Sequence, residues 1–301
     1  MKIGVIGGSG LYEIESLENA QTVEVETPFG APSDSFVTGT VAGTEVAFLA
    51  RHARGHRLLP SELNHRANIF AMKKLGVDRL ISVSAVGSLR EELVPGDLVL
   101  IDQYVDRTKR GGGEHTFFGE GIVAHIGFSD PICADLAERI RPEAEAVLAE
   151  KPARALADRA PTVHAGGTYV NMEGPAFSTR AESLLYRSWG MDVIGMTSLA
   201  EAKLAREAEM CLSVMAFVTD FDCWHDVHEA VSAQMVFEVL MQNAETAKEI
   251  LTRAIPAAAQ ATGEECGCRT ALDTALLTPR DAMPEKTQKK LAPIVRRAFS
   301  G

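Results

Sequence analysis

Cys211-Leu212-Ser213-Val214-Met215-Ala216-Phe217-Val218 runs straight into Thr219-Asp220-Phe221-Asp222-Cys223-Trp224. The first eight residues form an apolar run of strand length and predict a buried strand. Asp220 and Asp222 then stand where that strand ends, which is where open α/β sheets bind ligands. Two acids one residue apart, flanked by Phe221 and Trp224, are costly to desolvate together. If both are buried, their repulsion raises at least one pKa. The result near neutral pH is one carboxylate and one carboxylic acid, an acceptor beside a donor. A 6-aminopurine matches such a pair, because its amino group donates and its ring N7 accepts or takes a proton. A solvated Asp-rich turn is the competing reading of this stretch taken alone.

Outward from that strand, the chain alternates strands and helices. Asp192 to Met196 predicts a short strand, after which Thr197 and Ser198 open a helix to about Glu207. Val163 to Asn171 predicts a strand, followed by a helix to about Trp189 with Ser178 or Thr179 as its cap. Asp78 to Val86 is a buried strand ending in Ser84-Ala85-Val86-Gly87-Ser88, and Gly96 to Val105 is another strand-like run. Ser61 to Leu75 has helical spacing, with Ser61 as N-cap and Gly76 as stop. Lys2 to Ile6 enters the turn Gly7-Gly8-Ser9-Gly10, whose small residues would let backbone N–H groups approach an anion. Gln21 to Thr27, Phe36 to Val41 and Thr44 to Ala50 predict three more strands, the last ending in Arg51-His52-Ala53-Arg54-Gly55-His56. Guanidinium forks at a strand end suit phosphate, though a solvated basic loop reads the same way. Ser232 to about Thr262 predicts a long helix, and Pro284 to Phe299 a basic, peripheral one.

The alternation predicts one α/β domain over residues 1–301, with a mixed, largely doubly wound sheet flanked by helices. From about residue 263 onward a peripheral tail is expected. Polar residues at five strand ends would then converge on one site with an anion end and an acidic end. The glycine turn lacks the full dinucleotide fingerprint, since Glu13 stands at the third glycine position, and no P-loop lysine follows. This weighs against an NAD-dependent oxidoreductase.

A net charge of −11 makes nucleic acid or a membrane surface a poor partner. The opening residues do not resemble a signal peptide, and no run approaches membrane-helix length, so a cytoplasmic protein is expected. Cys133, Cys211 and Cys223 are scattered and read as buried free thiols. Cys266 and Cys268 form a lone Cys-x-Cys, either reactive or incidental. With no second pair nearby, no metal centre is expected.

Six motifs together resemble the nucleoside phosphorylase superfamily, and within it most nearly the methylthioadenosine phosphorylase family. They are Gly7-Gly8-Ser9-Gly10, Arg51-His52, Ser84-Ala85-Val86-Gly87-Ser88-Leu89-Arg90, Glu173-Gly174-Pro175-Ala176-Phe177-Ser178, Met196-Thr197 and Thr219 to Trp224. The resemblance implies a cofactor-free homotrimer that cleaves a purine nucleoside with inorganic phosphate as co-substrate. It implies that Ser9, Arg51, His52, Ser84, the Ala85 N–H and Thr197 hold phosphate. Met196 would meet the ribose, Phe177 and Ser178 the base, and His56 and His125 the 5′ substituent, His125 from a neighbouring subunit. Asp220 and Asp222 would read N7 and the 6-amino group. Departures are serine for threonine at Ser9 and Ser84, Ala176 for a common arginine, and Ala233 for a larger aliphatic residue. A phosphorylase for methylthioinosine or adenosine, and a noncatalytic nucleoside-binding protein, remain alternatives.

Overall fold

The structure is a computed structural model that describes residues 1–8, 11, 14–109, 114–154, 159–225, 233–260 and 266–299, without the side chains of 233–237. Its strands are β1 (Lys2–Gly7), β2 (Leu17–Val23), β3 (Phe36–Val41), β4 (Thr44–Ala50), β5 (Val77–Ser88), β6 (Leu98–Leu100), β7 (Gln103–Arg107), β8 (Val163–Ala165), β9 (Thr168–Met172), β10 (Val193–Gly195) and β11 (Cys211–Asp220). Its helices are α1 (His65–Lys74), α2 (Ala134–Ala149), α3 (Arg180–Ser188), α4 (Ser198–Glu207), α5 (Ala233–Gln260), α6 (Glu285–Lys290) and α7 (Ala292–Phe299). Among the described residues the strands join into one mixed sheet. The expected single-domain α/β architecture, a mixed sheet flanked by helices, is the one observed.

β5 is the axis of that sheet. On one edge β11 runs parallel to it from Cys211 opposite Arg79 to Val218 opposite Val86, and a register shift then brings Asp220 opposite Gly87. On the other edge β1 pairs in parallel only as far as Ser82. Antiparallel β10 joins that edge at Gly87 and Ser88. Between the two partners the sheet forks, leaving Val83 to Val86 without a neighbouring strand on that side.

β11 shows why the apolar run reads as a strand buried on both faces. Val214, Ala216 and Val218 pack into a core with α1, α4 and α7, through Ile69, Leu204 and Ile294 among others. Met215 and Phe217 face the opposite core, with Leu136 of α2 and Ile250 and Leu251 of α5. The period of two sends alternate side chains to opposite layers.

Several expectations change. α1 starts at His65, because Asn64 rather than Ser61 caps it: Asn64 Oδ1 accepts from the Ala67 N–H at 3.1 Å, and its Nδ2 donates to Phe29 O at 2.7 Å. Ser61 lies in a short 3-10 turn, Pro60–Glu62. The run Val163 to Asn171 is two strands, because Gly166 and Gly167 adopt φ of 84° and 148°, open only to glycine at low cost. Gly96 to Val105 likewise divides, β6 pairing with β11 and β8 while β7 pairs with β9. The segment after residue 263, expected at the periphery, buries Leu272, Met283, Leu291, Ile294 and Val295 in the main core. Among the described residues no helix is long and apolar enough to cross a membrane.

One core carboxylate makes stability depend on pH. Glu207, at the end of α4, accepts from Thr116 Oγ1 at 2.6 Å and the Phe117 N–H at 2.7 Å. Burial nevertheless pushes its carboxyl from 4.5 up to about 7. The folded chain therefore keeps a proton that the unfolded chain gives up earlier. The resulting stability is full below about 4.5 and is lost as pH rises through about 7. Urea unfolding at about pH 5 and about pH 8 should show wild type losing on the order of 2 kcal/mol more than Glu207→Gln across that interval. Equal losses would remove Glu207 as the source.

Candidate active site

The fork in the sheet opens into a cavity of about 280 Å³. Ser84, Ala85 and Val86 of β5 form its floor, and Met196 and Thr197, between β10 and α4, form one wall. Arg51, His52 and His56 enter from the segment after β4, and Asp220 and Asp222 from the end of β11. Strand ends expected to converge thus do so in one place.

The anion end carries less free charge than its sequence suggests. Arg51 is buried and ion-paired with Glu201 of α4, through Nε at 2.6 Å and Nη2 at 3.1 Å. Its Nη2 also donates to Ser82 Oγ at 2.7 Å and its Nη1 to Val83 O at 2.9 Å. The guanidinium fork therefore grips a carboxylate of the same chain, and of its five N–H donors one, on Nη1, has no hydrogen-bond partner among the described residues. Burial alone would push the Glu201 carboxyl up, but the charge and hydrogen bonds of Arg51 hold it below the ordinary range.

His52 is neutral. Burial drives its imidazole down to about 4, against the raising effect of the bond to Leu58 O. That bond joins Nδ1 to Leu58 O at 2.8 Å. A carbonyl only accepts, so the ring hydrogen sits on Nδ1 and Nε2 is an acceptor. The ring stacks on His56 at 4.5 Å between centroids.

Hydroxyls and a helix end make up the difference. Thr197 is the N-cap of α4 but makes no capping bond. Asn171 does that work, its Oδ1 accepting from the Leu199 N–H at 3.0 Å. The Thr197 hydroxyl thus stays available at the positive end of the helix dipole. Ser84 Oγ has only long contacts, 3.5 Å to Tyr169 OH and 3.5 Å to Ala85 O.

At the other end, Asp220 and Asp222 are both raised above the ordinary carboxylate range, in each case chiefly by burial. Opposing the rise, Asp220 accepts from Thr219 Oγ1 at 2.7 Å and from the Asp222 N–H at 2.8 Å. The charge of Asp220 adds to the rise at Asp222. Asp222 takes a φ of 50°, and its Oδ2 is shut off from solvent near the Ser183 hydroxyl, which lowers the carboxyl without making a hydrogen bond of good geometry. Gly87 permits this closeness, since a Cβ there would meet Asp220 Oδ1 at 3.2 Å and Asp222 Cβ at 3.4 Å.

Other expected residues scatter. Phe177 lines the cavity mouth and is 76% exposed. Ser178 lies behind it, its Oγ donating to Met172 Sδ at 3.7 Å, and it does not line the cavity. His125 is exposed and does not line the cavity, on a segment whose Ala124 bridges to Leu276. Ala176 is exposed and also off the wall. Ser9 and the side chain of Ala233 lie outside the described residues. Sequence reasoning missed Glu201 and Asn171, as well as Leu240, Asn243 and Ala244 of α5, which complete the wall. The available signal was Glu201 itself, an acid on a helix otherwise apolar at Leu199, Ala200 and Ala202.

A family model, the Phosphorylase superfamily, matches residues 2–256. The S-methyl-5′-thioadenosine phosphorylase of Geobacter sulfurreducens is 54% identical over 293 residues, covering 97% of each chain. The solved methylthioadenosine phosphorylase from an antarctic soil metagenomic library superposes with a TM-score of 0.88 at 46% identity, covering 97% of this chain and 98% of its own. That of Schistosoma mansoni in complex with adenine gives 0.79 at 35% identity, covering 93% and 99%. Given a match over most of its length and a forked sheet that gathers the expected strand ends, this chain belongs to the phosphorylase superfamily and, within it, to the S-methyl-5′-thioadenosine phosphorylase family.

Proposed function

We propose that this enzyme cleaves 5′-methylthioadenosine with inorganic phosphate, giving adenine and 5-methylthioribose 1-phosphate. The observation that carries the reading is the pair of raised acids lining the same cavity as Thr197, at the start of α4. The shared chemistry of the named relatives supports it.

The C1′–N9 bond loosens first and leaves an oxocarbenium-like sugar, as in glycoside cleavage generally. Asp220, whose carboxyl burial raises above its ordinary range, gives a proton to N7, and adenine leaves neutral. Asp222 accepts from the 6-amino group. Phosphate forms the new bond to C1′, held by Ser9, Ser84, Thr197, the Ala85 N–H and the remaining Arg51 N–H. Neutral His52 accepts a hydrogen from the phosphate rather than offering a charge. Met196 meets the ribose, Phe177 flanks the base, and His56 faces the 5′ substituent. No cofactor enters the reaction, and five unbonded cysteines fit a reducing cytoplasm.

A homotrimer fits the exposed apolar side chains beside the cavity mouth. Phe177, Leu184, Leu185 and Trp189 are 42–76% exposed within one short segment, an arrangement that marks an interaction surface. His125, exposed and away from its own cavity, would then serve a neighbour's site. Sedimentation equilibrium should give three chains per particle, and a monomer at assay concentration would refute this assembly.

Base release from methylthioadenosine, adenosine and methylthioinosine, each with and without phosphate, tests the reaction itself. Fast release from methylthioadenosine that requires phosphate is expected. A preference for methylthioinosine would overturn the roles given to both acids, and phosphate-independent binding without turnover would leave a binding protein. Asp220→Asn should lower kcat about 10²-fold or more, the usual scale of acid catalysis. Near-normal turnover would take Asp220 out of that role.

A further inference from the structure

In sequence, Cys266-x-Cys268 stands alone and argues against a metal. The fold changes its surroundings. Cys133 at the N-cap of α2, Cys211 at the start of β11, Cys266 and Cys268 bring four sulfurs within 4.8 Å of one another. The Cys211 and Cys266 sulfurs are 3.4 Å apart, and no two of the four are bonded as a disulfide.

We propose that Cys133, Cys211, Cys266 and Cys268 form a tetrathiolate site for one zinc ion. A tetrahedron with Zn–S bonds of about 2.3 Å has sulfur–sulfur edges of about 3.8 Å. The observed cluster reaches that arrangement by shifts of about an ångström or less, with every sulfur close to all the others. An all-sulfur donor set excludes magnesium and calcium and selects zinc or another thiophilic ion. Four protein ligands close the coordination sphere, so the site is structural. On binding, each thiol yields its proton to solvent and the centre carries a net charge of −2.

The surroundings suit that charge. Cys133 sits at the positive end of the 16-residue helix α2, which favours a thiolate. Arg79 is completely buried and stands opposite Cys211 in the β5–β11 register. Its Nε and Nη2 have no hydrogen-bond partner among the described residues, and Asp135 comes no closer than 3.7 Å. A dianionic centre nearby would offset a buried cation that is otherwise poorly matched. The cluster is built into the core shared by α2 and α5, and it ties the segment after α5 to the sheet. Asp220 is nine residues farther along β11, about 30 Å at strand rise, so the metal serves the scaffold, and this inference stands apart from the reaction at the cavity.

The test uses untagged full-length protein, expressed with zinc in the medium and purified without chelator. Elemental analysis should find one zinc per chain. Denaturation with chelator should then expose all five cysteines as free thiols. Cys223→Ser should retain the zinc, whereas Cys266→Ser with Cys268→Ser should lose it and melt at lower temperature. Exchange with cobalt should produce a thiolate-to-cobalt charge-transfer band, which keeps the proposal falsifiable if the double variant fails to fold. Zinc-free protein with one thiol and a mass four hydrogens lower would reveal two disulfides and overturn the site. Five reactive thiols with no retained metal would overturn it equally, and iron in place of zinc would overturn the choice of ion.

Discussion

Arg51 and Glu201 meet in a buried two-point ion pair, and the architecture of the cavity depends on it. The pair joins the end of β4 to α4, and through Ser82 and Val83 it fixes both to β5 just where the sheet forks. Every element that furnishes the anion end is thereby held to every other. Removing either partner would strand a charge in the core, at about 3–5 kcal/mol. This also explains why so basic a stretch sits in so acidic a protein. Its strongest cation is structural, and the cavity has little net positive charge of its own.

Desolvation sets the chemistry at both ends of that cavity. The same burial that neutralises His52 raises the carboxyls at the end of β11 above their ordinary range. A site poised this way recognises through directed donors and acceptors more than through charge. It suits a ligand with a neutral heterocycle at one end and an anion at the other.

β11 connects two otherwise separate features. Its last residue is an acid at the cavity, and its first is a cysteine in the sulfur cluster. Rigidity at one end therefore supports position at the other. The C-terminal segment contributes as well, for Leu291, Ile294 and Val295 pack against the helices that cover β11.

Local pattern was enough to predict the strand from Cys211, the opening of α4 at Thr197 and Ser198, a hydroxyl cap of α3 at Ser178 or Thr179, of which Thr179 is the one observed, and the mixed α/β class, because each rests on near-neighbour periodicity or capping chemistry. The strand ends carrying Arg51, Ser84, Thr197, Asp220 and Asp222 were legible for the same reason. Other features depend on partners far away in the chain. Glu201 finds Arg51 across 150 residues, Asn64 displaced Ser61 as a cap because Phe29 O lay within its reach, and two glycines split one expected strand into two with different neighbours. His125 read as a site residue from its motif position alone, and the fold leaves it on the surface. By itself the sequence determined the α/β class, where the chemistry-bearing strand ends fall and which family they resemble. Only the tertiary structure decided which charges are spent on each other and which four sulfurs meet, because desolvation and pairing are properties of packed surroundings that no single stretch contains.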